Sequence, residues 1–199
     1  MRAQLILAST SPYRKELLAR LQLHFDVHAP QVDEAPRAGE SFAQTAVRLA
    51  REKALAVAQS HPNAIVIGAD QVASCEGERL DKPGTAERAL AQLQLQRGKT
   101  SEFITAVCVA AKAGQLMKEA AVVTRVRFKN AAALPDGLLR RYITLENPLD
   151  CAGAAKSEGL GIALIESIEG PDPTALVGLP LIALTDLLKT FDVSPLSQS

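Results

Sequence analysis

The residues of this chain best suited to chemistry are Asp70 and Gln71, which follow Gly68-Ala69 and the apolar run Ala64-Ile65-Val66-Ile67. That order predicts a carboxylate at the exit of a buried strand, where an ionised group is costly unless it is paired, metal-bound or hydrogen-bonded. The alternative for Asp70 is a turn residue bonding its own backbone. A second short apolar run, Leu5-Ile6-Leu7-Ala8, breaks directly into Ser9-Thr10-Ser11-Pro12-Tyr13-Arg14, rich in hydroxyls and ending in a cation. Two strand ends with polar tips point to one shared cleft. Ser11-Pro12 reads as a helix start, with the hydroxyl as cap and proline at the first helical position, so Tyr13 and Arg14 fall in the first turn. There the free backbone N–H groups, the positive end of the helix and the Arg14 charge together suit a phosphate. An ordinary capped surface helix with a solvated arginine is the alternative reading.

The elements that must position these groups follow from periodicity and punctuation. A helix from the Ser11 cap carries Leu17, Leu18 and Leu21 at helical spacing, and residues 24–29 read as a short strand. Val32-Asp33-Glu34-Ala35-Pro36 is a loop with two adjacent acids, either of which can reach a cleft. Ser41 caps a long amphipathic helix to about Gln59, where the pattern alone reads Glu52 and Lys53 as a solvated face and pairs Arg48 with Glu52. The strand over 64–69 leads through Asp70-Gln71 into a hairpin that returns at Leu80-Asp81-Lys82-Pro83, which puts Lys82 near Asp70. A helix from Thr85 to about Gln96 precedes two long strand patterns, 101–112 and 116–128, expected to pair antiparallel. Pro135 opens another helix; residues 151–159 form a small-residue loop carrying Lys156 and Glu158. A last strand at 162–165 and a helix over 179–188 close the chain.

With 199 residues and 47% hydrophobic content the chain can bury a full core, and one domain over 1–193 is expected, followed by a polar tail over 194–199 that should fray. Lys+Arg and Asp+Glu balance at 22 each, which excludes a global basic field that would gather nucleic acid or an anionic membrane. Any anionic ligand must be held locally. No apolar run approaches the roughly 20 residues that cross a bilayer. The N-terminal stretch lacks the pattern of a secretion signal, so the expected location is the cytoplasm. Cys75, Cys108 and Cys151 fit neither a disulfide framework nor a zinc spacing and read as reduced thiols. His24 and His28 share a face, but with only His61 besides them and no nearby cysteine they read as ordinary histidines.

The order of these modest signals carries more than any one of them. The succession Leu7-Ala8-Ser9-Thr10-Ser11-Pro12-Tyr13-Arg14, Val32-Asp33-Glu34, Arg51-Glu52-Lys53-Ala54, Gly68-Ala69-Asp70-Gln71, Lys82-Pro83 and Lys156-Ser157-Glu158-Gly159, with its intervals, resembles the Maf family of nucleotide pyrophosphatases from residue 4 to about 190. The resemblance implies an α/β fold with a long twisted mixed sheet, helices on both faces and two lobes around a cleft, related to the inosine triphosphate pyrophosphatases. It implies hydrolysis of a nucleoside triphosphate between the α and β phosphates with a divalent cation, Mg2+ or Mn2+. By the same resemblance Asp70 is the general base, Ser11, Arg14, Lys53 and Lys82 contact phosphate, and Glu34 with Asp70 contacts the metal. A homodimer is compatible with the family; nucleic acid and membrane are not expected partners.

An ordinary aspartate titrates near 4 and bulk water near 16, a gap of about 12 units or on the order of 16 kcal/mol, so the carboxylate alone is too weak a base. A cation must supply most of the difference, and magnesium takes a few carboxylates together with substrate phosphates and waters. Substrate choice in the family follows three positions, which here hold Tyr13, Gln71 and Glu158. This set resembles the branch that prefers 7-methyl-GTP, whose relatives often carry tryptophan where Tyr13 stands. The methylated guanine is cationic: an aromatic face stabilises it by roughly 0.5 to 2 kcal/mol, and a carboxylate can accept from its N–H groups. Two other readings remain open, a broader-range pyrophosphatase for modified nucleotides and a non-catalytic nucleotide-binding regulator of septum formation.

Overall fold

The computed structural model describes residues 3–197. Its elements, in chain order, are β1 (Leu5–Ala8), α1 (Pro12–Ala19), β2 (Asp26–His28), α2 (Phe42–Ala58), β3 (Ile65–Cys75), β4 (Glu78–Leu80), α3 (Ala86–Gln96), β5 (Thr100–Ala111), β6 (Leu116–Phe128), α4 (Asp136–Glu146), β7 (Ile165–Glu169) and α5 (Leu181–Lys189). Among the described residues the sheet runs β2-β1-β3-β5-β6-β7, with β4 paired to β3. It is mixed: β1 is parallel to both β2 and β3, while β3–β4 and β6–β7 are antiparallel. The chain is therefore α/β with a mixed sheet, as the sequence pattern and the resemblance led one to expect.

The chain divides into two compact units. The first gathers the chain up to Gln71, Thr105–Val122 and the chain from Asp172; the second holds Val72–Ile104 and Val123–Pro171. In the first unit, strand alternation sends Leu5, Leu7, Ile65, Ile67 and Ala69 to one side, where they pack with Leu17 and Leu18 of α1 and Leu184 and Leu188 of α5. Val66, Gly68 and Asp70 alternate to the other side. That is the side of α2, because a methyl on Gly68 would overlap the Ala50 carbonyl and the Ala54 amide. Helices thus cover both faces of this part of the sheet.

The caps expected at Ser11 and Ser41 are present, and Thr85, expected to open a helix, caps it as well. Ser11 accepts from the Arg14 amide, Ser41 forms a reciprocal capping box with Gln44, and Thr85 accepts from the Arg88 amide. In the second unit a two-residue turn, Glu76-Gly77, joins β3 to β4 with both residues at positive φ, 51° and 82°, the backbone that matches strand twist in a tight hairpin.

Two elements differ from the sequence expectation. First, β3 does not end at Ala69: it runs on through Asp70 and Gln71 to Cys75, so Asp70 lies inside a strand. The charge that suggested a strand exit is accommodated because it is paired, as described below. Second, the strand expected over 162–165 is mostly a 3-10 segment, Leu160–Leu164, and pairing with β6 begins only at Ile165. Part of the tail expected to fray, residues 198 and 199, lies outside the described residues; Pro195–Ser197 forms a 3-10 turn. All three cysteines are free thiols, Cys75 and Cys108 buried. Among the described residues no helix is long and apolar enough to cross a membrane.

Candidate active site

In the first unit, Asp70 on β3 and Lys53 on α2 are 6% and 5% exposed, so both charges have left most of their hydration. They compensate each other: Lys53 Nζ lies 2.6 Å from Asp70 Oδ1 and 2.7 Å from Glu34 Oε1. The reading of Lys53 as part of a solvated face therefore does not hold. The cause is the glycine two residues before Asp70: with no side chain at Gly68, α2 sits against the strand at Ala50 and Ala54, and the neighbouring Lys53 reaches the carboxylate on the same strand face.

Glu34 comes from an exposed loop, and that loop is tied down by the second charge cluster of α2. The Arg48 guanidinium donates to the Ala35 carbonyl at 3.0 Å, to both Glu40 oxygens at 2.6 and 2.9 Å, and to Glu52 at 3.0 Å. The Arg48–Glu52 pair matches the sequence expectation. Hydrogen bonding to Arg48 lowers the Glu40 pKa from 4.5 to about 2, and the bond to Glu40 in turn raises that of Arg48. Arg48 thus fixes the residue next to Glu34 by its backbone carbonyl, a link that sequence spacing does not reveal.

Arg14 stands half-buried in the first turn of α1, with its amide on the Ser11 hydroxyl. Burial of its guanidinium lowers its pKa, against the opposing pull of the Asp70 and Glu34 charges, so these three groups act on one another electrostatically. An arginine remains protonated in such a setting. Its Nε donates to the Gly178 carbonyl at 2.8 Å, which aims the fork. Gly178 ends a 3-10 turn, Ala175–Val177, and this turn is held by Gln71, whose amide donates to the Ala175 and Leu176 carbonyls at 3.0 Å and to Thr105 Oγ1 at 2.9 Å. Thr105 donates to the same Ala175 carbonyl at 2.8 Å. Buried Asp172 fixes the rest of the loop by accepting from the Thr174 amide and hydroxyl and from the Ile182 amide that opens α5. Sequence reasoning passed over Thr105, Asp172 and Gly178. The signals available were the Asp-x-Thr step and the Gly-x-Pro turn at 178–180.

The first unit therefore brings together Ser11, Arg14, Glu34, Lys53 and Asp70, with Tyr13 in the same helical turn as Arg14 and Gln71 adjoining Asp70. Lys82 and Glu158 belong to the second unit, both exposed, Lys82 two residues beyond β4 and Glu158 in the loop before the 3-10 segment. Two carboxylates converging on one ammonium, with an arginine beside them, make a charge-balanced cluster. Such a cluster can bind a polyanion through its cations and accept a proton through its carboxylates.

The family model described as Maf-like protein matches residues 4–191. The chain belongs to the Maf family. This Maf chain is 55% identical over 190 residues to the 7-methyl-GTP pyrophosphatase of Ralstonia nicotianae, covering 95% of the chain and 96% of that protein. It is 52% identical to a protein of the same name from Cupriavidus metallidurans, covering 94% and 93%, and 55% identical to one from Aromatoleum aromaticum, covering 94% and 95%. Among solved structures, the Staphylococcus aureus Ham1 protein aligns with a TM-score of 0.45 at 15% identity, over 64% of the Maf chain and 72% of its own.

A divalent cation is the general expectation for pyrophosphatases of this kind, and the residues present can be tested for it. Among the described residues no group of three or more His, Cys, Asp or Glu side chains is arranged to hold a metal ion. Glu34 and Asp70, however, present oxygens to a single cationic atom, Lys53 Nζ. Two oxygen donors fit magnesium or manganese, which complete their shells with substrate phosphates and water, and do not fit zinc, which takes histidine and cysteine sets.

Proposed function

We propose that this chain hydrolyses 7-methyl-GTP to 7-methyl-GMP and pyrophosphate in the cytoplasm, as a single Maf domain over residues 1–193. The observation that carries the reading is the Glu34–Lys53–Asp70 cluster with Arg14 beside it: a buried carboxylate in a strand, matched by cations suited to phosphate. The name borne by relatives at 55% identity over nearly the whole chain supports the substrate.

In this mechanism Asp70 accepts a proton from the attacking water as its oxygen bonds to the α phosphorus. The bond from the α phosphorus to the bridging oxygen breaks, and pyrophosphate leaves with that electron pair. Arg14 binds phosphate oxygens through its planar fork, oriented by the Gly178 carbonyl, while Lys53 and Lys82 act as point charges and Ser11 as a hydroxyl donor. Charge growing on the leaving group is neutralised by these preorganised cations. A divalent cation held by Glu34 and Asp70 would supply Lewis acidity and further neutralisation of the phosphates. Tyr13 offers its ring to the cationic base and Glu158 its carboxylate to the guanine N–H groups. Gln71 serves the same selection from beside Asp70, holding the turn that aims Arg14.

The test is pyrophosphate release by the purified protein with magnesium or manganese on 7-methyl-GTP, GTP, UTP and dTTP, with a chelated control. A clear preference for 7-methyl-GTP, lost on chelation, is expected. Preference for UTP or dTTP would keep Asp70 as base and overturn the roles of Tyr13 and Glu158, whereas no turnover would favour a regulatory nucleotide-binding protein.

A further inference from the structure

In the second unit, Glu158 sits in a stretch with little regular structure, yet the backbone on both sides of it is fixed by two side chains of α4. Tyr142 lies at the centre of one anchor: its hydroxyl donates to the Ala154 carbonyl at 3.2 Å and accepts from the Lys156 amide at 3.0 Å. The ring is buried, and burial pushes the phenol up to about 12, so the hydroxyl keeps its proton across the physiological range. Glu146, one helical turn further on, forms the second anchor, with Oε2 accepting from the Leu160 amide at 2.7 Å. The fit there is close: a methyl on Gly159 would stand 2.7 Å from Glu146 Oε1. Lys156 adds a third tie, its ammonium 3.3 Å from the Glu146 carbonyl and 3.6 Å from Asp150. Residues 156 and 160 are therefore pinned to one face of α4, since positions 142 and 146 are neighbours at helical spacing. Glu158 lies midway between the pins, its carboxylate exposed and 3.4 Å from the Ser157 hydroxyl.

We propose that Tyr142 and Glu146 are positioning residues for substrate selection, acting as a two-point clamp that holds the Lys156–Leu160 backbone and so aims the Glu158 carboxylate at the purine base. The proposal rests on the reading of Glu158 as the base-selecting group. A carboxylate on an unrestrained loop would spend much of its interaction with the base on ordering that loop; held in advance, the same contact goes into affinity. The clamp works through backbone groups, so its effect reaches selection without either side chain touching the nucleotide.

The experiment measures kcat and KM for 7-methyl-GTP and GTP in the wild type and in Tyr142→Phe, Glu146→Ala, Glu146→Gln and Glu158→Gln. A double variant, Tyr142→Phe with Glu158→Gln, completes the set. Loss of a hydrogen bond to a charged acceptor predicts a fall of about ten-fold in the 7-methyl-GTP to GTP ratio of kcat/KM for Glu146→Ala, and loss of the neutral hydroxyl's bonds to backbone a fall of about five-fold for Tyr142→Phe. The change should appear in KM with kcat held, and Glu146→Gln, which keeps an acceptor, should restore most of the ratio. In the Glu158→Gln background the Tyr142→Phe substitution should no longer move the ratio, the coupling expected when one residue acts through another. Amide exchange at Leu160 should rise in Glu146→Ala. A selective wild type whose Tyr142→Phe and Glu146→Ala variants keep the ratio overturns the clamp alone, and so does an equal effect in both backgrounds. A wild type without preference for 7-methyl-GTP overturns the reading of the base pocket, and the clamp's role in selection with it; unchanged Leu160 exchange removes its mechanical basis.

Discussion

The Asp70 cluster and the Glu158 loop are built on opposite plans. Asp70 and Lys53 sit on a strand and a helix, nearly excluded from water, and face each other at 2.6 Å. Glu158 sits on an exposed loop, and what is fixed there is backbone, through Tyr142 and Glu146. On the mechanism proposed above, the difference follows from what each group would do. A base and its phosphate-binding cations need fixed charges in a place of low dielectric, where preorganisation counts most and the desolvation penalty must be met by partners. A group that discriminates between bases needs access and direction, which a tethered loop supplies without burying a charge.

Asp70→Asn should break the first plan most severely, because it removes the proposed proton acceptor while nearly preserving shape: hydrolysis falls by about 1,000-fold. Nucleotide binding, read by calorimetry, should persist, and turnover near the wild-type rate would sink the mechanism. Lys53→Met comes next. It strands the buried Asp70 charge without its partner, which costs about 3–5 kcal/mol and lowers Tm by about 10 °C, whereas an exposed lysine of the kind the sequence pattern suggested would leave Tm unmoved. Gly68→Ala should have a smaller effect on stability, about 1–3 kcal/mol, because the added methyl overlaps the Ala50 carbonyl and forces α2 away from β3. Its diagnostic feature is that activity falls further than thermal stability does, since the shift separates Lys53 from Asp70; Tm and kcat of this variant measure both.

The smallest effect concerns pH and separates the loop next to Glu34 from the cluster itself. The Glu40 carboxylate has a folded-state pKa near 2 against an ordinary 4.5. The group is thus more easily ionised when folded, and the Glu40–Arg48 pair contributes its stability above about pH 4.5 and loses it as pH falls toward 2. Urea midpoints of wild type and Glu40→Gln should differ at pH 6 and draw together as the pH falls from about 4.5 through 2. Curves that stay parallel would remove this pair from the anchoring of the Glu34 loop.

The helix starts were legible because their causes are local: Ser11, Ser41 and Thr85 each cap a helix through atoms within three residues. The core strands were legible as short apolar runs. The continuation of β3 past Ala69 was not, because a buried charge reads as the end of a strand until its partner is known, and that partner lies 17 residues away on α2. The Gly178 carbonyl that orients Arg14 is 164 residues distant, and the Tyr142 and Glu146 anchors reach the Glu158 loop across 14.

By itself, the sequence determined which chemistry is available: the order and type of the acids, cations and hydroxyls, the caps that start the helices, and the membership in the Maf family that their succession carries. Tertiary structure alone decided which of these charges are buried, which pairs neutralise one another, and which distant side chains aim them. The reason is physical. Caps and turns are set by contacts between near neighbours, but the cost of burying Asp70 or Lys53 depends on dielectric and partner distance, and both exist only once β3 and α2 have packed together at Gly68.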